Sequence, residues 1–222
     1  MKKYHTFTTL IGCLFLLAAF LIHRIVLSKE SENQALILQN KARALSFSEA
    51  DKVPLNRTKK VISVIDRYNP SMPLNLKFKI AREIANASIK YDNLDVHLIC
   101  ALITHESAYK WDPKVVSRKG AMGLMQVMPE TAKSLTKIAG VEWTTPEEIL
   151  FDPVINIRLG SKYLSGMIEL YEIDGGLAAY NGGWKRAALW LAKNRADGVL
   201  YKETQNYIPS VLSLYEEFRE YN

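Results

Sequence analysis

The sequence predicts an all-α fold for its C-terminal two-thirds, on three observations. From Leu76 onward apolar residues recur at helical spacing in segment after segment, and strand-type alternation is nowhere sustained. Pro129 and Pro153 stand where the first turn of a helix tolerates proline. Hydrophobic residues make up 48% and charged residues 23% of the 222-residue chain, so a core can form and a disordered or low-complexity chain is excluded. Cys13 and Cys100 are the only cysteines, so neither a disulfide framework nor a cysteine-rich zinc site is available and stability must come from packing.

The elements follow in chain order. Between Thr6 and Ile22 there is no charge, and the apolar run extends to Leu27 past His23 and Arg24, close to the ~20 residues that span a bilayer. Lys2 and Lys3 ahead of it place the N-terminus in the cytoplasm and the chain after Ser28 outside. A signal anchor over 1–28 is therefore expected, making the protein a single-pass protein of the inner (cytoplasmic) membrane whose domain faces the periplasm or cell wall. A signal peptide cut after Ser28 and a lipoprotein signal at Cys13 are the alternatives. Exposed in an oxidising compartment, a lone Cys100 would be a liability, so it is expected to be buried as a small apolar filler.

Residues 29–75 read as a polar tether interrupted by Pro54, Pro70 and Pro73, with one amphipathic patch at Val61, Val64, Ile65 and Tyr68. Charge supports that division. Residues 1–75 hold 11 Lys and Arg against 5 Asp and Glu, whereas residues 76–222 hold 18 of each, so the excess of +6 lies outside the prospective domain. A stripe that reads phosphates should sit on the folded domain, so nucleic acid is not an expected partner. Basic residues beside an apolar segment suit an anionic membrane surface, at ~1 kcal/mol each. Residues 76–222 then divide into helices over 76–91, 94–107, 129–138, 153–171, 176–180, 184–192 and 203–221.

Several kinds of chemistry are excluded by motif. His105-Glu106 is half of a zinc-protease helix, but Tyr109 stands where the second histidine is required. The glycines of Gly120-Ala121-Met122-Gly123 are not followed by the Gly-Lys-Ser/Thr that grips phosphates, and there is no G-x-S-x-G elbow. No metal and no other cofactor is expected. What remains is Glu106, at the end of the apolar helix pattern of Val96, Ile99, Leu102 and Ile103. A carboxyl against apolar side chains holds its proton to higher pH, as a general acid must.

Four blocks give that carboxyl a context. Glu106-Ser107 with Ser117 and Gly120-Ala121-Met122-Gly123-Leu124-Met125-Gln126-Val127-Met128-Pro129-Glu130-Thr131-Ala132 is followed by Asp152, Asn156-Ile157 and Gly160-Ser161-Lys162-Tyr163-Leu164. Then come Ala178-Ala179-Tyr180-Asn181-Gly182-Gly183 and Glu203-Thr204-Gln205-Asn206-Tyr207. In this order the blocks resemble the soluble lytic transglycosylase-type (SLT) catalytic domain. The resemblance covers nearly all of 76–222 and implies a lysozyme-like helical domain with a glycan-binding groove. It further implies that Glu106 is the sole catalytic acid/base and that Ser117, Gln126, Met128, Tyr180, Asn181 and Glu203 line the groove.

Other roles remain open for several of these residues. Leu124, Met125 and Met128 could be core, Tyr180 a packed aromatic, Glu203 a helix cap and Ser117 a turn residue, while Asp152 and Asn156 read as structural. Gly182-Gly183-Trp184 departs from the family's usual alanine and glycine after the asparagine, and Trp184 reads as an added sugar platform or a core residue, with core the favoured reading. Glycosidases usually hold two carboxylates about the scissile bond, and one convincing carboxylate fits what the resemblance implies. The expected activity is cleavage of the MurNAc–GlcNAc β-1,4 bond of peptidoglycan strands, with 1,6-anhydromuramoyl ends formed by internal attack of the sugar's 6-hydroxyl. A lysozyme-type hydrolase and a non-catalytic peptidoglycan-binding module of an envelope or secretion machine are the alternatives.

Overall fold

The computed structural model describes residues 55–220, together with Arg24, residues 26–30, Glu32 and Gln34 upstream. Those upstream residues are helical and exposed and belong to a separate unit. The expected anchor over 1–28 and the Cys13 alternative lie largely outside the described residues. Among the described residues, no helix is long and apolar enough to cross a membrane.

The domain is built around one helix. In α3 (Val96–Glu106), eight of eleven residues are buried, from Val96 and Leu98 through Thr104. A helix apolar on nearly every side is stable only when surrounded, and its neighbours in sequence and space do that. Asp95 caps its start, Oδ1 accepting from the His97 and Leu98 N–H groups at 2.8 and 2.9 Å. Around it pack α1 (Leu55–Tyr68), α2 (Leu74–Lys90) and α8 (Lys202–Glu220).

The remaining helices form the other wall. They are α4 (Pro129–Ala139), the short α5 (Pro146–Leu150), α6 (Pro153–Gly182) and α7 (Trp184–Ala192). Pro129, Pro146 and Pro153 each stand in a first turn, and Asp152 and Thr145 cap α6 and α5 through their side-chain oxygens. The chain is all-α as expected, with isolated bridges only at Val116–Met122 and Met122–Val127 among the described residues.

Two expectations change. The amphipathic patch assigned to the tether is α1, whose Val61 and Ile65 are fully buried in the common core. The folded unit therefore begins near residue 55, not 76. Lys77 secures the α1–α2 turn, pairing with Asp66 and donating to the Pro70 carbonyl at 2.8 Å. The separate helices read over 153–171 and 176–180 stand: α6 is broken by a kink at Glu172, whose φ of 61° and ψ of −176° are non-helical, and its second part runs on to Gly182. Trp184 is not core: it is 52% exposed. Helix α5 was not foreseen, because five residues are too few to show a period. Cys100 is buried, and burial pushes its thiol pKa up, so it carries no charge.

Since α1 belongs to the core, Ile65→Ala is expected to lower unfolding free energy by about 2–5 kcal/mol through the cavity it leaves. A loss within ±0.5 kcal/mol in chemical denaturation, as for an exposed site, would return α1 to the tether.

Candidate active site

Glu106 is the last residue of α3. The residue keeps some exposed surface, but its carboxyl has protein packed around it, and this burial pushes its pKa up to about 7. The Tyr207 hydroxyl opposes the shift by donating to Oε1 at 2.7 Å, and the nearby Glu203 carboxylate adds to it. The carbonyl end of α3 points the same way, since a helix C-terminus disfavours an anion. His105 packs edge-on against the Tyr207 ring, centroids 4.8 Å apart. Burial lowers its pKa, so at neutral pH it is uncharged and does not draw the proton from Glu106.

The turn after Glu106 is costly and tightly held. Ala108, Tyr109 and Trp111 have φ of 51°, 63° and 50°, a region that non-glycine residues enter at a cost of order 1–3 kcal/mol each. Trp111 anchors the turn: its ring is fully buried, Nε1 donates to Thr104 Oγ1 at 2.9 Å, and its N–H donates to Ser107 Oγ at 3.0 Å. Both acceptors lie in or next to the last turn of α3, so the turn fixes where that helix stops.

The loop over 115–127 is fixed by a buried amide. Asn156 of α6 accepts from the Met125 N–H at 2.8 Å and donates to the Met122 and Leu150 carbonyls at 2.9 and 3.0 Å. Gly123, at φ 78°, permits this approach, because a Cβ there would lie 2.1 Å from Asn156 Nδ2. The structure thus gives Asp152 and Asn156 capping and stapling roles. Leu124 and Met125 are fully buried, whereas Met128 is exposed beside the start of α4.

Each remaining residue singled out by the sequence has a definite place. Ser117 closes a turn, its Oγ accepting from the Ala121 N–H at 3.0 Å. Gln126 donates its side-chain amide to the Val115 and Gly123 carbonyls at 3.1 and 2.8 Å, which engages the amide nitrogen with the loop backbone. Tyr180 donates to the Met125 carbonyl at 2.7 Å, not to Glu106, although burial and the nearby Glu106 charge raise its pKa well above the usual tyrosine value. Asn181 Oδ1 accepts from Thr204 Oγ1 at 2.8 Å. Glu203 is exposed in the first turn of α8 and pairs with Lys119 at 2.8 Å, joining the loop to that helix.

Charge interactions place Glu106, Tyr180, Tyr207 and Glu203 together. Tyr207 closes the last of the four sequence blocks but was given no role there. The available signal was its position on the apolar stripe of Ile208, Val211 and Leu214, since a buried tyrosine hydroxyl must find a partner.

Residues 83–200 match the family model of the transglycosylase SLT domain. The chain is 35% identical over 131 residues to the soluble lytic murein transglycosylase of Escherichia coli (strain K12), covering 54% of this chain and 20% of that protein. It is 34% identical over 150 residues to membrane-bound lytic murein transglycosylase C of Photorhabdus laumondii, covering 59% and 41%. An X-ray structure of an inactive glutamate-to-glutamine mutant of the lytic transglycosylase Slt from Pseudomonas aeruginosa matches with a TM-score of 0.55 and 29% identity, over 70% of this chain and 25% of that one. The chain thus spans about a fifth to two-fifths of the length of these curated relatives.

Asn156→Ala leaves one N–H and two carbonyls without their buried partner, and is expected to cost about 3 kcal/mol. A thermal melt should show the loss. A melting temperature unchanged from wild type would mean that the loop does not depend on this amide.

Proposed function

The chain belongs to the transglycosylase SLT domain family, and from that premise we propose that it is a lytic transglycosylase of peptidoglycan with Glu106 as its single acid/base. The observation that carries the reading is a buried carboxyl at the end of α3, held by the Tyr207 hydroxyl at 2.7 Å, whose pKa burial pushes up to about 7. The relatives are named for murein, and one solved neighbour is an inactive mutant in which glutamine replaces glutamate.

The chemistry follows from the state of that carboxyl. Protonated Glu106 gives its proton to the glycosidic oxygen as the β-1,4 bond between MurNAc and GlcNAc breaks. The carbonyl of the sugar's own 2-acetamido group attacks the anomeric carbon and takes the place of the second carboxylate that most glycosidases hold. The Glu106 carboxylate then accepts the proton of the 6-hydroxyl, whose oxygen attacks the anomeric carbon, breaks its bond to the acetamido oxygen and closes the 1,6-anhydro ring, so that the acetamido group is restored. Tyr207 donates to Oε1 throughout, which leaves Oε2 to carry the moving proton and stabilises the carboxylate between the two steps.

The groove residues position the strand. The Gln126 and Asn181 side chains suit acetamido and hydroxyl groups, exposed Met128 offers an apolar contact, and Tyr180, Ser117 and Glu203 hold the wall in shape. With the N-terminal segment read as an anchor, the domain would face the wall from the membrane. The named relatives include both a soluble and a membrane-bound enzyme.

Glu106→Gln keeps the shape of the side chain but can neither give nor take the proton. Muropeptide release from purified sacculi is expected to fall at least about a hundredfold, with sacculus binding retained. Mass spectrometry of wild-type digests should show muropeptides lighter by one water than hydrolysed ones. Reducing ends alone would mean a hydrolase, and wild-type binding without release would mean a binding module.

A further inference from the structure

Beyond the groove residues already placed, α7 presents an aromatic surface that the reaction as described does not use. Trp184, Tyr201 and Leu189 are 52%, 56% and 49% exposed. They line one open groove with Gly182, Lys185 and Arg186. Large exposed side chains gathered in one place mark a contact surface more often than isolated ones do.

The groove is held in shape. The Arg186 guanidinium lies 3.8 Å from the centroid of the Tyr201 ring, and its Nη1 donates to the Val199 carbonyl at 2.8 Å. This ties the segment before α8 to α7. Lys185 Nζ stands 5.5 Å from the Trp184 ring centroid.

The groove also continues the candidate active site. Gly182 follows Asn181, and a Cβ on Gly182 would lie 2.7 Å from Thr204 Oγ1, the hydroxyl that donates to Asn181. Glu203 precedes that threonine, so the aromatic surface begins where the Asn181 and Glu203 end of the site stops. Gly182 lines the aromatic groove and adjoins Asn181 in the chain, so the two surfaces share that segment.

The chemistry of the surface selects its occupant. The negative face of an aromatic ring attracts the polarised C–H groups on the flat face of a pyranose. An apolar protein partner would bury Lys185 and Arg186 without counter-charges, at a cost a hydrated strand avoids. Peptidoglycan strands carry carboxylates on their peptide stems, which suits both cations.

We propose that Trp184, flanked by Tyr201, stacks on a sugar ring of the glycan strand beyond the bond to be cleaved and so favours long strands over short ones. The proposal rests on the reading of the substrate as peptidoglycan glycan. It makes Trp184 a residue that sets preference for strand length, with no part in the proton transfers.

The test uses the full-length chain carrying Glu106→Gln, so that ligands bind without being cut. Oligomers of β-1,4-linked N-acetylglucosamine, two to six sugars long, and peptide-free strands from sacculi are titrated by calorimetry. Affinity is expected to rise with length, and Trp184→Ala to lower it about tenfold for the longest oligomers while the disaccharide is little affected. Trp184→Phe should restore most of the loss, and the melting temperature should stay unchanged because the side chain is exposed.

A length dependence identical with and without Trp184 would overturn the proposal, as would an equal loss for all lengths or a loss confined to peptide-bearing strands. Failure of the Trp184-bearing protein to bind any oligomer or strand would instead overturn the glycan reading itself, and the proposal with it.

Discussion

The domain depends on ending a fully surrounded apolar helix on a carboxyl. Helix α3 buries eight of its eleven residues, so it can only run through the middle of the fold, and its last residue is delivered to the interior. Desolvation then sets the protonation of Glu106, and one hydrogen bond from Tyr207 limits the cost. Helix α8 meets α3 at both ends through tyrosines. Tyr215 donates to Asp95 Oδ2 at 2.7 Å beside the cap, and Tyr207 donates to Glu106 at the other end. A shift of α8 along α3 would break both contacts, so the register of two helices and the chemistry of one carboxyl are set by the same pair of bonds.

The groove walls are fixed by buried polar groups in the same manner. Asn156 holds the backbone of the 115–127 loop at two points and ties it to the end of α5 at a third, and Trp111 holds a turn with three left-handed non-glycine residues. Such conformations persist only where the surroundings over-determine them. The benefit is a site whose carboxyl and surrounding backbone are in place before any ligand arrives, so little ordering would remain to oppose binding.

Much of this was legible in the sequence. The helices started by Pro129 and Pro153 and the helix Trp184–Ala192 follow from period and punctuation, and Glu106 stood out as a carboxyl at the end of an apolar stripe. The blocks that resemble an SLT domain placed its companions. What escaped has physical causes. Helix α1 looked like part of a polar tether because only two of its residues, Val61 and Ile65, are fully buried. Trp184 looked like core because composition does not tell an aromatic that fills a core from one that offers a face to solvent. Tyr207 hid in an apolar stripe, and only the fold shows that its hydroxyl meets Glu106. Gln126 and Tyr180 had sugar-facing roles implied for them, whereas their hydrogen bonds run largely into the loop backbone.

The central claim is that burial, more than any charged neighbour, keeps Glu106 protonated near neutral pH. Carbon-detected NMR titration of the side-chain carboxyls in the full-length protein tests it most directly. One resonance, absent from Glu106→Gln, should titrate at about 7. Because the folded state then holds that proton more tightly than the unfolded state, stability should decline as pH rises from the ordinary carboxylate range through about 7, and Glu106→Gln should lose that decline. A Glu106 resonance titrating with the surface glutamates, at about 4.3, would contradict the claim and leave the proposed acid without a proton to give.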